Sequence, residues 1–164
     1  MIKYLAFEYQ SSLSFLNIFS YITFRTGASI LTGLFFSLIF GNLIINKLSN
    51  IQPSGQPIRD DGPESHLIAK KGTPTMGGLL IILSVLVSTI IWADLQNIFI
   101  WISILTIIVF GSIGFADDYK KIKSNTSNGI SSKIRILFQI IFSLLITYLI
   151  LMNLDSSISK SMTF

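Results

Sequence analysis

Cysteine is missing from this 164-residue chain, and histidine occurs once, as His66. The first absence excludes disulfides, thiolate metal sites and cysteine nucleophiles. The second excludes a metal cluster built from several histidines of this chain. Charge is sparse, with Asp, Glu, Lys and Arg together making 12% of the residues. About twice that share is usual for a soluble domain. Ser/Thr nucleophile signatures and the glycine patterns of Walker and Rossmann phosphate loops are also absent. Proline is confined to Pro53, Pro57, Pro63 and Pro74, all in one stretch.

What the chain does have is apolar length: 51% of its residues are hydrophobic. Four runs, about 26–47, 76–93, 98–116 and 134–152, are mostly apolar. A helix needs about 20 such residues to cross a hydrocarbon core of about 30 Å. A closed barrel would show alternation, whereas these runs are continuous. The expected fold is all-α: a polytopic transmembrane helical bundle, one membrane domain over 1–164 with four spans. The N-terminal stretch shows no secretory cleavage pattern. It reads as an interfacial segment anchored by Tyr4, Tyr9 and Tyr21.

The net charge of +4 is informative through its placement. Nine of the twelve basic residues lie between the first and second runs or between the third and fourth: Lys47, Arg59, Lys70, Lys71, Lys120, Lys121, Lys123, Lys133 and Arg135. The short connection 94–97 has none. The positive-inside rule then makes loops 48–75 and 117–133 cytoplasmic and sends both termini outward. Charges that flank membrane spans are a poor match to nucleic acid, which is not an expected partner.

Loop 48–75 holds every proline together with Gly55, Gly62 and Gly72, the punctuation of a shaped, turn-rich segment. The second and third runs are joined by only a few residues and must form an antiparallel hairpin. That brings the start of one and the end of the other to the same depth, so two separate motifs face each other.

The first motif is Lys70-Lys71-Gly72-Thr73-Pro74-Thr75-Met76-Gly77-Gly78. Thr73 suits an N-cap and Pro74 the first helical position. The exposed N–H groups of such a helix start, with two lysines beside them, suit an anion. A capped membrane helix with ordinary flanking lysines accounts for the same residues. The second motif is Asp117-Asp118-Tyr119-Lys120-Lys121, directly after the third apolar run. Carboxylates at a helix C-terminus meet the negative end of the macrodipole. They therefore require compensation by the lysines, a bound cation or both.

Adjacent helical residues point about 100° apart, so the two carboxylates are expected to share a cation only if the helix ends there. Hard oxygen ligands of this kind suit Mg²⁺; local pairing with Lys120 and Lys121 is the competing explanation. A third motif, Arg59-Asp60-Asp61-Gly62-Pro63-Glu64-Ser65-His66, offers another acid pair and a histidine, or simply a tight turn with solvated charges. Gln139 suits an interhelical hydrogen bond. Taken together, a phosphate-ready helix start facing paired carboxylates points to a metal-assisted reaction on a phosphorylated substrate at the membrane.

The runs Gln56-Pro57-Ile58-Arg59-Asp60-Asp61-Gly62-Pro63-Glu64-Ser65-His66, Lys71-Gly72-Thr73-Pro74-Thr75-Met76-Gly77-Gly78 and Gly114-Phe115-Ala116-Asp117-Asp118-Tyr119 closely resemble the phospho-N-acetylmuramoyl-pentapeptide transferase family. The resemblance extends over essentially the whole chain. It implies a bacterial inner-membrane enzyme of peptidoglycan synthesis, active at the cytoplasmic face. That enzyme would take UDP-N-acetylmuramoyl-pentapeptide and undecaprenyl phosphate as substrates and yield lipid I and UMP with Mg²⁺. By position, the resemblance makes Asp117 and Asp118 the catalytic and metal-binding carboxylates, with Asp117 favoured for activating the lipid phosphate. Lys70 and Thr75 would contact the diphosphate or nucleotide, and Lys121 and Lys133 would hold lipid phosphate. Membrane lipid is a further expected partner, and a homodimer is compatible with this reading.

Members of the family are about twice this length, and their second half carries a further metal-contacting aspartate and a histidine-rich loop. The chain therefore resembles an N-terminal portion and is expected to be inactive alone. Two alternatives stay open at this point. One is a sibling transferase moving N-acetylglucosamine-1-phosphate onto a polyprenyl phosphate. The other is a non-catalytic four-span remnant or assembly partner.

Overall fold

The computed structural model describes residues 2, 14–52, 55, 76–124, 126 and 129–154, and they contain helices and turns but no strand. A short 3-10 helix, Ser14–Ser20, precedes four α-helices: α1 (Ile22–Ile51), α2 (Gly78–Trp92), α3 (Ile98–Ser124) and α4 (Ser132–Met152). The all-helical architecture matches the expectation. Three of the helices, α1, α3 and α4, are long and apolar enough to cross a membrane, and α2 is a shorter apolar helix. With 15 residues, α2 is about 22 Å long.

Few residues of these helices are buried. Leu48, Met76, Ile102, Ile104 and Ile146 are the buried apolar residues, and large side chains such as Ile30, Leu38 and Leu144 are two-thirds exposed. In water such a surface would be untenable, but in lipid it is the solvent-facing side of the helices. Where apolar attraction between helices is absent, small residues let backbones approach. That is how α1 meets α2. A Cβ on Gly33 would sit 3.8 Å from Ser88 Oγ, and one on Gly41 would sit 3.6 Å from Leu80. Ser84 and Ser88 are buried along this seam. Their hydroxyls donate to the carbonyls of Ile81 and Val85 on their own helix, so neither serine hydroxyl is left bare in the seam.

The pairing is antiparallel, since Thr32 lies against Trp92 while Gly41 lies against Leu80. Trp92 Nε1 donates to Thr32 Oγ1 at 2.9 Å. At this same end Phe19 stacks on Trp92 with centroids 6.0 Å apart, and Phe24 meets both rings edge-on. The turn from α2 to α3 is closed by side-chain acceptors. Asp94 Oδ1 takes the N–H of Gln96 and Asn97 Oδ1 takes that of Phe99, an Asx-type start for α3. Gly111 of α3 lies directly against Ile82 of α2, so these two helices form the antiparallel hairpin that the short connection requires.

Two helix ends differ from the sequence reading. The start of α2 is at Gly78, after the Thr73-Pro74 signal; those two residues lie outside the described ones. Met76 accounts for the late start, because its φ of 73° is left-handed and incompatible with a right-handed helix. The end of α3 is later than expected. The apolar run stops at Ala116, yet the helix continues to Ser124, with Lys121 and Lys123 in its last turn. Lysines there complement the helix dipole, and Ser124 Oγ donates back to the Lys120 carbonyl. The segment 117–124 is thus a polar helical extension beyond the membrane-length apolar stretch.

Candidate active site

Asp117 opens that polar extension and is 6% exposed. Its burial comes from the turn that joins α3 to α4. The Ile130 N–H donates to Asp117 Oδ1 at 2.7 Å, and Gly129 packs against the carboxylate. On the other oxygen, Oδ2, the Lys121 ammonium sits at 2.7 Å and the Arg135 guanidinium of α4 at 3.7 Å. Asp118 Oδ1 contacts the same Lys121 Nζ at 3.1 Å.

The two carboxylates therefore do converge on one cation, and that cation is the ammonium of Lys121. The expectation that convergence requires the helix to end is corrected: α3 continues for six residues past Asp118. Convergence works on an intact helix because Lys121 stands four residues after Asp117 and three after Asp118, the two spacings that share a helix face. The macrodipole objection weakens as well, since the acids lie well inside the helix and not at its last residue.

These groups lie past the apolar stretch, and their ionisation follows from their partners. Burial pushes the Asp117 carboxyl up. The Lys121 hydrogen bond, the Ile130 N–H and the charges of Lys121 and Arg135 outweigh it and hold the group below the usual carboxylate value. For Lys121 the hydrogen bond to Asp117 pushes the ammonium above its usual value, against the opposing effect of burial. Both members of the pair are held charged.

From this cluster a groove of about 820 Å³ runs between α2, α3 and α4. Its walls are apolar, including Leu79, Leu86, Ile108 and Phe115, and Asp117, Asp118, Arg135 and Gln139 line it too. Met76 and Gly78, at the start of α2, also line it. The helix start and the acid pair thus share one cavity, as the hairpin argument requires.

Of the other sequence-predicted residues, Lys121 is part of the cluster and Lys133 is exposed on the first turn of α4; neither is among the groove-lining residues. Lys70 and Thr75, like Asp60, Asp61 and His66, lie outside the described residues. Arg135 was missed. The signal available was an arginine one turn into a helix that follows a short, glycine-containing turn from an acid pair.

Among the described residues there is no group of three or more acidic or histidine side chains able to enclose a metal. The donor set nonetheless suits Mg²⁺, which takes one or two carboxylates and completes its shell with phosphates and water. The Lys121 ammonium already marks a point that both carboxylates reach.

A family signature described as phospho-N-acetylmuramoyl-pentapeptide-transferase signature 1 matches residues 70–82, the approach to α2 and its first turn. A phospho-N-acetylmuramoyl-pentapeptide-transferase from Ruegeria sp. (strain TM1040) is 51% identical over 130 residues. That similarity covers 79% of this chain but 36% of the relative, so the chain matches little more than a third of that protein's length.

Proposed function

This chain belongs to the phospho-N-acetylmuramoyl-pentapeptide transferase family, and from that membership we propose that it builds part of an enzyme of peptidoglycan synthesis. The enzyme transfers phospho-N-acetylmuramoyl-pentapeptide from its UDP carrier to undecaprenyl phosphate. In that reaction an oxygen of the lipid phosphate bonds to the sugar-bearing phosphorus, the diphosphate linkage breaks, and UMP leaves; the product is lipid I.

The observation that carries this reading is the shape and chemistry of the groove: apolar walls between three helices, with an acid–base cluster among its lining residues. An isoprenoid phosphate has the matching form, a long apolar tail with an anionic head. Asp117 and Asp118 act at the head end. Lys121 and Arg135 offset the negative charge that phosphates bring to two carboxylates. A bound Mg²⁺, held by Asp117 and Asp118, would supply further neutralisation of the phosphate oxygens. Lys70 and Thr75 serve the nucleotide diphosphate, and Lys133 the approach of lipid phosphate from the surface. The membrane is the bacterial inner membrane, with loops 48–75 and 117–133 and the active face cytoplasmic.

The test is a Mg²⁺-dependent UMP-exchange assay in membranes. The chain is expressed alone and together with the remaining portion of a family relative. Exchange is expected when both parts are present, and Asp117→Asn should lower it about a hundredfold or more, the scale of losing a group that stabilises transition-state charge. Undiminished exchange by the Asp117→Asn assembly would remove Asp117 from the chemistry. Supplying UDP-N-acetylglucosamine in place of the muramoyl donor should give no exchange.

A further inference from the structure

The turn that enters α4 is built around the Asp117 carboxylate. A Cβ added to Gly129 would lie 2.6 Å from Asp117 Cγ and 2.8 Å from Oδ2, and nearer still to Oδ1. A Cβ atom essentially never comes that close to another heavy atom, so any side chain at 129 must displace either the carboxylate or the turn. No positive φ is recorded for Gly129, so a left-handed backbone is not the reason for a glycine there. The reason is the close approach of another side chain. One residue further on, the Ile130 N–H donates to Oδ1 at 2.7 Å. The carboxylate is thus confined on one side by a glycine surface and a backbone donor, and on the other by Lys121 and Arg135.

We propose that Gly129 is a positioning residue for Asp117: the empty side-chain position at 129 and the N–H of Ile130 together fix where the carboxylate sits in the groove. The inference rests on the reading of Asp117 as a group that touches substrate. Its physical content can be tested without turnover. A carboxylate has only two rotatable bonds, and with its back against Gly129 it cannot retreat. A methyl group at 129 therefore forces it toward the groove and breaks the bond to Ile130.

The experiment uses the full chain in lipid nanodiscs, labelled with ¹³C at aspartate side-chain carboxyls. The Asp117 resonance is identified by its disappearance in Asp117→Asn. Gly129→Ala is expected to move that resonance and to lower the thermal midpoint by roughly 5 °C, the scale of overpacking by one methyl in a chain this size. Gly27→Ala, whose Cβ meets nothing within 4 Å, should leave both unchanged.

In an Asp117→Ala background, where the obstacle is gone, Gly129→Ala should lower the midpoint by less than half as much. If Gly129→Ala alone fails to fold, recovery of folding in the Asp117→Ala/Gly129→Ala double variant supports the proposal, and failure of both overturns it. An unmoved Asp117 resonance, or equal loss in the two backgrounds, also overturns it. Failure of the catalytic reading would look different: Asp117→Asn would retain UMP exchange while the resonance shift and the background dependence stayed as described.

Discussion

Replacing Asp117 separates the two kinds of contact that hold α3 to the start of α4. Asp117→Asn removes the charge but keeps an oxygen able to accept from the Ile130 N–H. What it loses is the pair with Lys121 at 2.7 Å and the longer one with Arg135 at 3.7 Å. A hydrogen bond to a charged group contributes about 1.5–3 kcal/mol. Lys121 is 30% exposed and Arg135 41% exposed, so solvent screening brings the expected loss down to about 1 kcal/mol.

Asp117→Ala loses this and the acceptor as well, leaving the partly buried Ile130 N–H unpaired, which adds about 1–2 kcal/mol. The alanine variant should therefore be less stable than the asparagine variant by about 1–2 kcal/mol. Reversible unfolding in mixed micelles, titrated with a denaturing detergent, reads both values. Lys121→Met provides the control: combined with Asp117→Asn it should cost less than the sum of the two changes, because the pair between these residues is lost only once while Lys121 also meets Asp118 and Asp117 also meets Arg135. Equal stabilities of the asparagine and alanine variants would refute the role given to Ile130. Full additivity with Lys121→Met would refute the ion pair.

Two further expectations concern the interhelical seams. Thr32→Val removes the acceptor of Trp92 Nε1 and should destabilise the α1–α2 pair by about 0.6 kcal/mol, the average for such bonds in membranes. It should also shift the Trp92 emission measured in a Trp101→Phe background; an unchanged spectrum would contradict the contact. Gly111→Ala would place a methyl 2.6 Å from Ile82 Cδ1, with an overpacking loss of about 1 kcal/mol. Ile82→Val removes that Cδ1 atom, so the double variant should recover most of the loss in the same unfolding titration. No recovery would show that the crowding lies elsewhere.

The helices were legible because apolar length is a coarse signal that local detail does not disturb. The hairpin of α2 and α3 followed from a connection too short for any other arrangement. Helix ends were harder. At α2 the helix begins at Gly78 because the backbone of Met76 is left-handed, and nothing in a methionine announces a positive φ. At α3 the end of the apolar run reads as the end of the helix, yet the helix runs on to Ser124. The lysines that follow continue the helix through pairs spaced three and four residues apart. The acid pair itself stood out in the sequence as a candidate site, whereas Arg135 and the reason for Gly129 did not. Both depend on a fold-back across the α3–α4 turn, which composition does not encode.

The ties around Asp117 also bear on how the protein is made. Its bond to Ile130 spans 13 residues of sequence, and closing so short a loop carries a small entropic penalty. As α4 leaves the ribosome, α3 and α4 can lock at their shared end before the rest of the bundle assembles. The same contacts that fix the Asp117 carboxylate thus also staple the end of α3 to the start of α4.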